Sequence, residues 1–159
     1  MKKLLFLSSI ILLAACKSQQ SSMTSSTPKN EAFAYELVAQ STLHDIGKNA
    51  FAPGLYKFSD KAHWDKFLQK MQLANEENAK FKLDKIDFEK EMLVAIFDKI
   101  LSHGGVKFYI DRVENTPDAI KFITAHQSRQ GQMSIQVMNQ PYIIVKIKKT
   151  DKRLELINK

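Results

Sequence analysis

A mostly β fold of the α+β class is expected: an antiparallel sheet forming a small sandwich or barrel, with one amphipathic helix packed on it. Three observations lead there. About six or seven short runs between residues 33 and 159 carry apolar side chains at alternate positions or continuously, the patterns of half-buried and buried strands. Only one stretch of that region has clear helical spacing. Glycine and proline fall between the runs rather than inside them, at Gly47, Pro53 and Gly54 and again at Gly104 and Gly105.

The elements follow in order. Phe33, Tyr35, Leu37 and Ala39 alternate with more polar neighbours and predict a first strand. Leu55-Tyr56-Lys57-Phe58 predicts a short second one. Ser59 or Asp60 then offers a helix cap, because a short polar side chain accepts from the free amides of the first turn. Trp64, Phe67, Leu68 and Met71 share one face of the helix predicted over residues 60–74. Residues 75–85 are polar and charged and predict a loop. Residues 92–97 are apolar without a break, which suits a central strand buried on both sides. Ser102-His103-Gly104-Gly105 predicts a hairpin turn. Strands are expected over 106–113 and 119–125, then a polar loop over 126–139. A late strand over 142–149 has Ile143, Val145 and Ile147 on its apolar face. Lys146, Lys148 and Lys149 are placed to discourage edge pairing. Leu154, Leu156 and Ile157 predict a short terminal strand.

The first 32 residues are of another kind. Met1-Lys2-Lys3 is a short cationic start, and residues 4–15 are apolar or small. That run is too short for a membrane-spanning helix, which needs about 20 apolar residues, and has the size of an export signal. It ends in Leu13-Ala14-Ala15-Cys16, which matches the lipobox of bacterial lipoproteins. Small residues let a membrane protease reach the backbone, and the thiol takes a diacylglyceryl group as a thioether. Each buried methylene contributes about 0.8 kcal/mol to attachment, so two or three chains hold stably where one does not. Cys16 is the only cysteine, so the chain has no internal disulfide. Residues 17–32 are polar and of low complexity, a flexible tether of roughly 22 Å span. Lys17 and Ser18 follow the cysteine where an Asp would signal retention at an inner membrane, so the outer membrane is favoured. The expected organisation is a signal peptide (1–15), a lipidated Cys16 with its tether (16–32) and a β-rich domain (33–159).

Charge and chemistry narrow the function. The formal net charge is +7, but only Arg112, Arg129 and Arg153 are arginine. Planar recognition of phosphate favours Arg, so the lysines suggest a solvated face near anionic lipid or an acidic partner rather than nucleic acid. The lipid consumes the only thiol. The chain has no Gly-x-Ser-x-Gly elbow and no His-Glu-x-x-His zinc motif. His44, His63, His103 and His126 are scattered. The carboxylates of Asp60, Asp65, Asp84 and Asp87 read as solvated charges, with Asp87 a candidate for bonding a nearby amide. Neither catalysis nor a cofactor is expected, beyond the lipid on Cys16. The candidate partner-binding residues are His103, Gly104 and Gly105 in the Gly-Gly turn, and Pro141 and Tyr142. A plain hairpin turn and a plain strand start are the structural alternatives.

Ile86-Asp87-Phe88, residues 92–97, His103-Gly104-Gly105 and residues 140–146 together resemble the PrcB C-terminal domain family, accessory lipoprotein subunits of a bacterial surface protease complex. In that family an Asp-Phe precedes an apolar strand, a Gly-Gly turn leads into a second, and a Pro-Tyr begins a late one. The resemblance spans roughly residues 33–150. It departs at the turn, where His103 stands for a small hydroxyl residue and Val106 for an aromatic. It implies a non-catalytic subunit that binds an extracytoplasmic protease. A loop-based protease inhibitor and an envelope carrier of a small apolar ligand are the alternatives.

Overall fold

The computed structural model describes residues 33–44, 50–74, 86–128 and 136–159. The expected leader, Cys16, the expected tether, the loop expected over 75–85 and Asp84 lie outside them. In chain order the elements are β1 (Glu36–His44), β2 (Gly54–Phe58), α1 (Lys61–Ala74), β3 (Glu91–Phe97), β4 (Val106–Asn115), β5 (Ala119–Ser128), β6 (Asn139–Lys148) and β7 (Arg153–Asn158). Two sheets form, in the orders β1-β6-β3-β2 and β4-β5-β7. They stack as a sandwich that does not close into a barrel, and α1 covers the outer face of the larger sheet.

The four-stranded sheet is therefore the middle layer, which explains why β3 and β6 are apolar on both faces. Leu93, Ala95 and Phe97 of β3, with Tyr142 and Ile144 of β6, meet Trp64, Phe67 and Met71 of the helix. The alternate residues Met92, Val94, Ile96, Ile143, Val145 and Ile147 meet Phe108, Ile120 and Phe122 of the second sheet. Period-2 alternation thus delivers each strand's side chains to two separate cores. Helix α1 begins where its cap allows. The Asp60 carboxylate accepts from the His63 backbone amide at 3.0 Å, and the Asp60 carbonyl accepts from Trp64 at 3.3 Å. The predicted apolar face of the helix holds: Trp64, Phe67 and Met71 are buried, and Leu68 is partly so.

Four expectations need correction. The sheets are not wholly antiparallel, since β5 and β7 pair in parallel, Ala119 opposite Arg153. Residues 102–105 form no hairpin, because β3 and β4 belong to different sheets and the segment crosses between them. The first strand runs later than the alternation suggested, to His44, with a register shift between Leu37 and Ala39. Lys146 guards no edge, since β6 lies between β1 and β3. It joins the three strands, reaching Glu36 of β1 at 2.8 Å and Glu91 of β3 at 3.3 Å. Those two carboxylates raise its pKa, Glu36 most. The expected amide contact of Asp87 is present: its carboxylate accepts from the Glu89 backbone at 3.1 Å and pairs with Lys90 at 3.0 Å.

Candidate functional site

The two candidate segments, remote in sequence, meet at one end of the sandwich. Leu101 and Asn139 form an isolated antiparallel bridge, donating to each other's carbonyls at 2.8 and 2.9 Å. The Asn139 side-chain amide then donates to the carbonyl of His103 at 2.9 Å and to that of Val137 at 3.0 Å. Asn139 is only 3% exposed, so its bonds hold the crossover segment from beneath. Gly105 has φ +84°, the left-handed region that L side chains rarely adopt, while the space where a Cβ would project is open. Glycine is needed there for backbone conformation and not for a close approach. His103 and Gly105 are exposed, and Gly104 is half-buried.

Pro141 and Tyr142 are placed differently from the expectation. Both are buried inside β6, where they support this end, and only Pro141 also lines a shallow surface groove. Burial pushes the Tyr142 phenol up, against a smaller opposing effect of its hydrogen bond with Ser41. Pro141 is the third residue of β6, within a central strand, where a proline normally interrupts the ladder. Its carbonyl accepts from the Asp98 amide at 3.0 Å, but it has no N–H to return. The neighbouring Gln140 supplies the missing donor: its side-chain nitrogen reaches the Asp98 carbonyl at 2.9 Å. The same nitrogen donates to the Phe51 carbonyl at 2.7 Å, and the Gln140 oxygen accepts from the Phe51 amide at 3.0 Å. A fully buried amide thereby repairs the proline's gap and pins the segment before β2 to β6.

Asp98 joins the two sheets. Its carboxylate lies 2.6 Å from the His126 Nε2 on β5, with 6% of the Asp98 and 31% of the His126 side chain exposed. The imidazole also lies against the Phe108 ring, at 5.3 Å between centroids. Neither residue stands out in sequence, because 28 positions separate them. The only available signal was a carboxylate directly after a fully apolar strand, where a charge must find a partner. The couple orients the imidazole and links β5 of the smaller sheet to the end of β3 in the larger one.

Around these anchors the surface is apolar and cationic. Ile100 and Met138 flank the bridge and are 41% and 57% exposed. Lys99, His103 and Lys107 are exposed at the same end. A shallow groove of about 290 Å³ runs from this end between β1 and β4, lined by Gln40, Ser41, Thr42, Val106, Lys107, Phe108 and Pro141. Gln40 crosses it, donating to the Phe108 carbonyl at 2.5 Å. Among the described residues, no group of three His, Cys, Asp or Glu side chains is arranged to hold a metal ion, and no helix is long and apolar enough to cross a membrane. Comparisons with protein-family models, curated proteins and solved structures return no match.

Proposed function

We propose that the protein is a lipid-anchored lipoprotein of the cell envelope whose β domain is a non-catalytic binding subunit, most simply an accessory subunit of an extracytoplasmic protease. One structural observation carries the binding part. The chain enters the domain at one end of the central sheet, where Glu36 opposes Lys146, and the exposed cluster around His103 lies at the other, where His44 opposes Asn139. The stretch of β6 from Asn139 to Lys146 separates the two, roughly 23 Å at about 3.3 Å per residue. An anchor on Cys16 attaches through the end opposite His103, which leaves the His103 end free to meet a partner. The lipobox supports the anchor, and the PrcB resemblance supports the choice of a protease. A carrier finds less support, since both faces of the central sheet are packed against side chains.

The test has two arms. Wild-type cells fed radioactive palmitate label the protein, and Cys16→Ser cells do not; label on the Cys16→Ser protein refutes the anchor. A photo-crosslinking amino acid is then placed at His103 or at Lys148 in living cells. A discrete adduct from position 103 alone, with loss of one protease activity when the gene is deleted, supports the accessory role. Adducts of the same pattern from both positions, or unchanged protease activity, refute it.

A further inference from the structure

The two ends of the sandwich differ in charge as well as in orientation. At the end carrying the crossover segment, the described cationic and titratable side chains are His44, Lys99, His103, Lys107 and His126. The sole described carboxylate there is Asp98, which is 6% exposed and already held by His126. The remaining described carboxylates lie elsewhere. Glu36, Asp87, Glu89 and Glu91 sit at the tether end, around Lys146, Lys148 and Lys149. Asp60 and Asp65 belong to the start of α1, where Asp65 pairs with Lys61 at 2.6 Å. Asp111 and Glu114 flank Arg112, at 3.1 and 2.9 Å. Asp118 and Asp151 lie in turns on the tether side, and Glu155 pairs with Arg153 at 2.7 Å. Lys61, Lys90, Arg112, Lys146, Arg153 and Lys159 each pair with a carboxylate of the chain, whereas Lys99 and Lys107, like Lys57 and Lys66, pair with none of the described ones. At the same end, flanking the Leu101–Asn139 bridge, stand Ile100 and Met138, two of the most exposed large apolar side chains of the described residues.

From this arrangement we infer that the His103 end docks an acidic protein segment that also carries an aliphatic side chain. The aliphatic group covers Ile100 and Met138, removing apolar surface from water, and the carboxylates face Lys99 and Lys107. Methionine suits such a contact because its unbranched side chain adapts to its partner. The inference names the chemistry of the partner in the binding role proposed above and rests on that reading for its orientation toward the partner.

The test uses the mature chain from Cys16 onward, purified with its lipid and inserted in phosphatidylcholine nanodiscs. Two fluorescent peptides are compared by anisotropy: one with Leu-Leu flanked on each side by Glu and Asp, the other with Lys in their place. The acidic peptide should bind at least about tenfold more tightly, the scale of two surface charge contacts. Lys99→Gln with Lys107→Gln should remove that preference and its salt dependence. Ile100→Ser with Met138→Ser should weaken the acidic peptide by a similar factor that salt does not change. Lys148→Gln with Lys149→Gln at the opposite end should change nothing. Unaltered Trp64 emission in each variant establishes that it is folded. Equal binding of the two peptides, binding of neither, or equal loss from the opposite-end pair overturns the inference. None of those outcomes bears on palmitate labelling of Cys16, so the anchor stands or falls separately.

Discussion

Gln140 and Phe51 exchange two hydrogen bonds across 89 positions of sequence, at 2.7 and 3.0 Å. The pairing is buried, and it is what permits Pro141 to occupy a central strand. Replacing Gln140 by Leu keeps the volume and removes three bonds at once. The Phe51 amide and the Asp98 carbonyl would be left unmet inside the protein. Each such group costs about 1–3 kcal/mol, so Gln140→Leu should lose roughly 3 kcal/mol or more of stability in urea unfolding. A loss below about 1 kcal/mol would mean that the proline's gap is filled another way. Pro141→Ala in the Gln140→Leu background should recover part of the loss by restoring a main-chain donor.

The aromatic stack under α1 offers a second measurement. Phe97 lies 4.3 Å from Phe51 between ring centroids and 5.8 Å from Tyr142, and it is 1% exposed. Phe97→Ala should destabilise the fold by about 3–5 kcal/mol, through lost transfer energy and a residual cavity. Trp64, the single tryptophan, is 3% exposed and so reports the transition by fluorescence. Native emission should be blue-shifted and should move red in one step with urea. A native spectrum already red-shifted would contradict the packing of α1.

Alkaline titration should single out Tyr142. Its phenol is raised above the usual value of 10.0 by burial. The folded state therefore keeps the proton longer than the unfolded state does. Its contribution is intact below about pH 10 and is lost as pH climbs toward the folded value. In ultraviolet titration a late phenolate component should coincide with unfolding. Tyr142→Phe should abolish that component; its persistence would assign it elsewhere.

Acid acts at the opposite side of the second sheet. Hydrogen bonding to Lys159, and secondarily to Arg112, holds the Asp111 carboxyl below its ordinary 3.8. A depressed carboxylate stabilises the fold above its unfolded pKa, and the contribution disappears as pH falls through the folded value. Asp111→Asn should make stability less steep in pH below about 4, and salt should diminish the difference, because the pair is exposed. Identical acid profiles for the two proteins would remove Asp111 from this role.

Residues 92–97 and the spacing of Trp64, Phe67 and Met71 made the middle layer and its helix legible, because burial on two faces leaves a composition that no surface element shares. The last strand was visible in Leu154 and Leu156, but not its direction. Parallel and antiparallel partners ask for the same side chains on a short edge. Pro141 misled for a physical reason: proline marks a strand start unless a side chain replaces its donor, and Gln140 does so from the adjacent position. Gly104-Gly105 signalled a turn correctly and its topology wrongly, since a sheet-to-sheet crossing and a hairpin both need a residue at positive φ. The Asp98–His126 couple and the Ile100–Met138 surface arise only when distant segments meet.

The parallel pairing of β7 with β5 has a consequence in time. The smaller sheet is held on one side by the adjacent β4–β5 hairpin, while its other strand comes from Arg153–Asn158, after β6 has crossed back through the larger sheet. A nascent chain that has not yet yielded those residues leaves the β5 edge bare and the Thr124 carbonyl without the Lys159 amide that meets it at 3.0 Å. Until then the polypeptide has no finished second layer with which to seal its core. The smaller sheet is complete only once Arg153–Asn158 are in place beside β5.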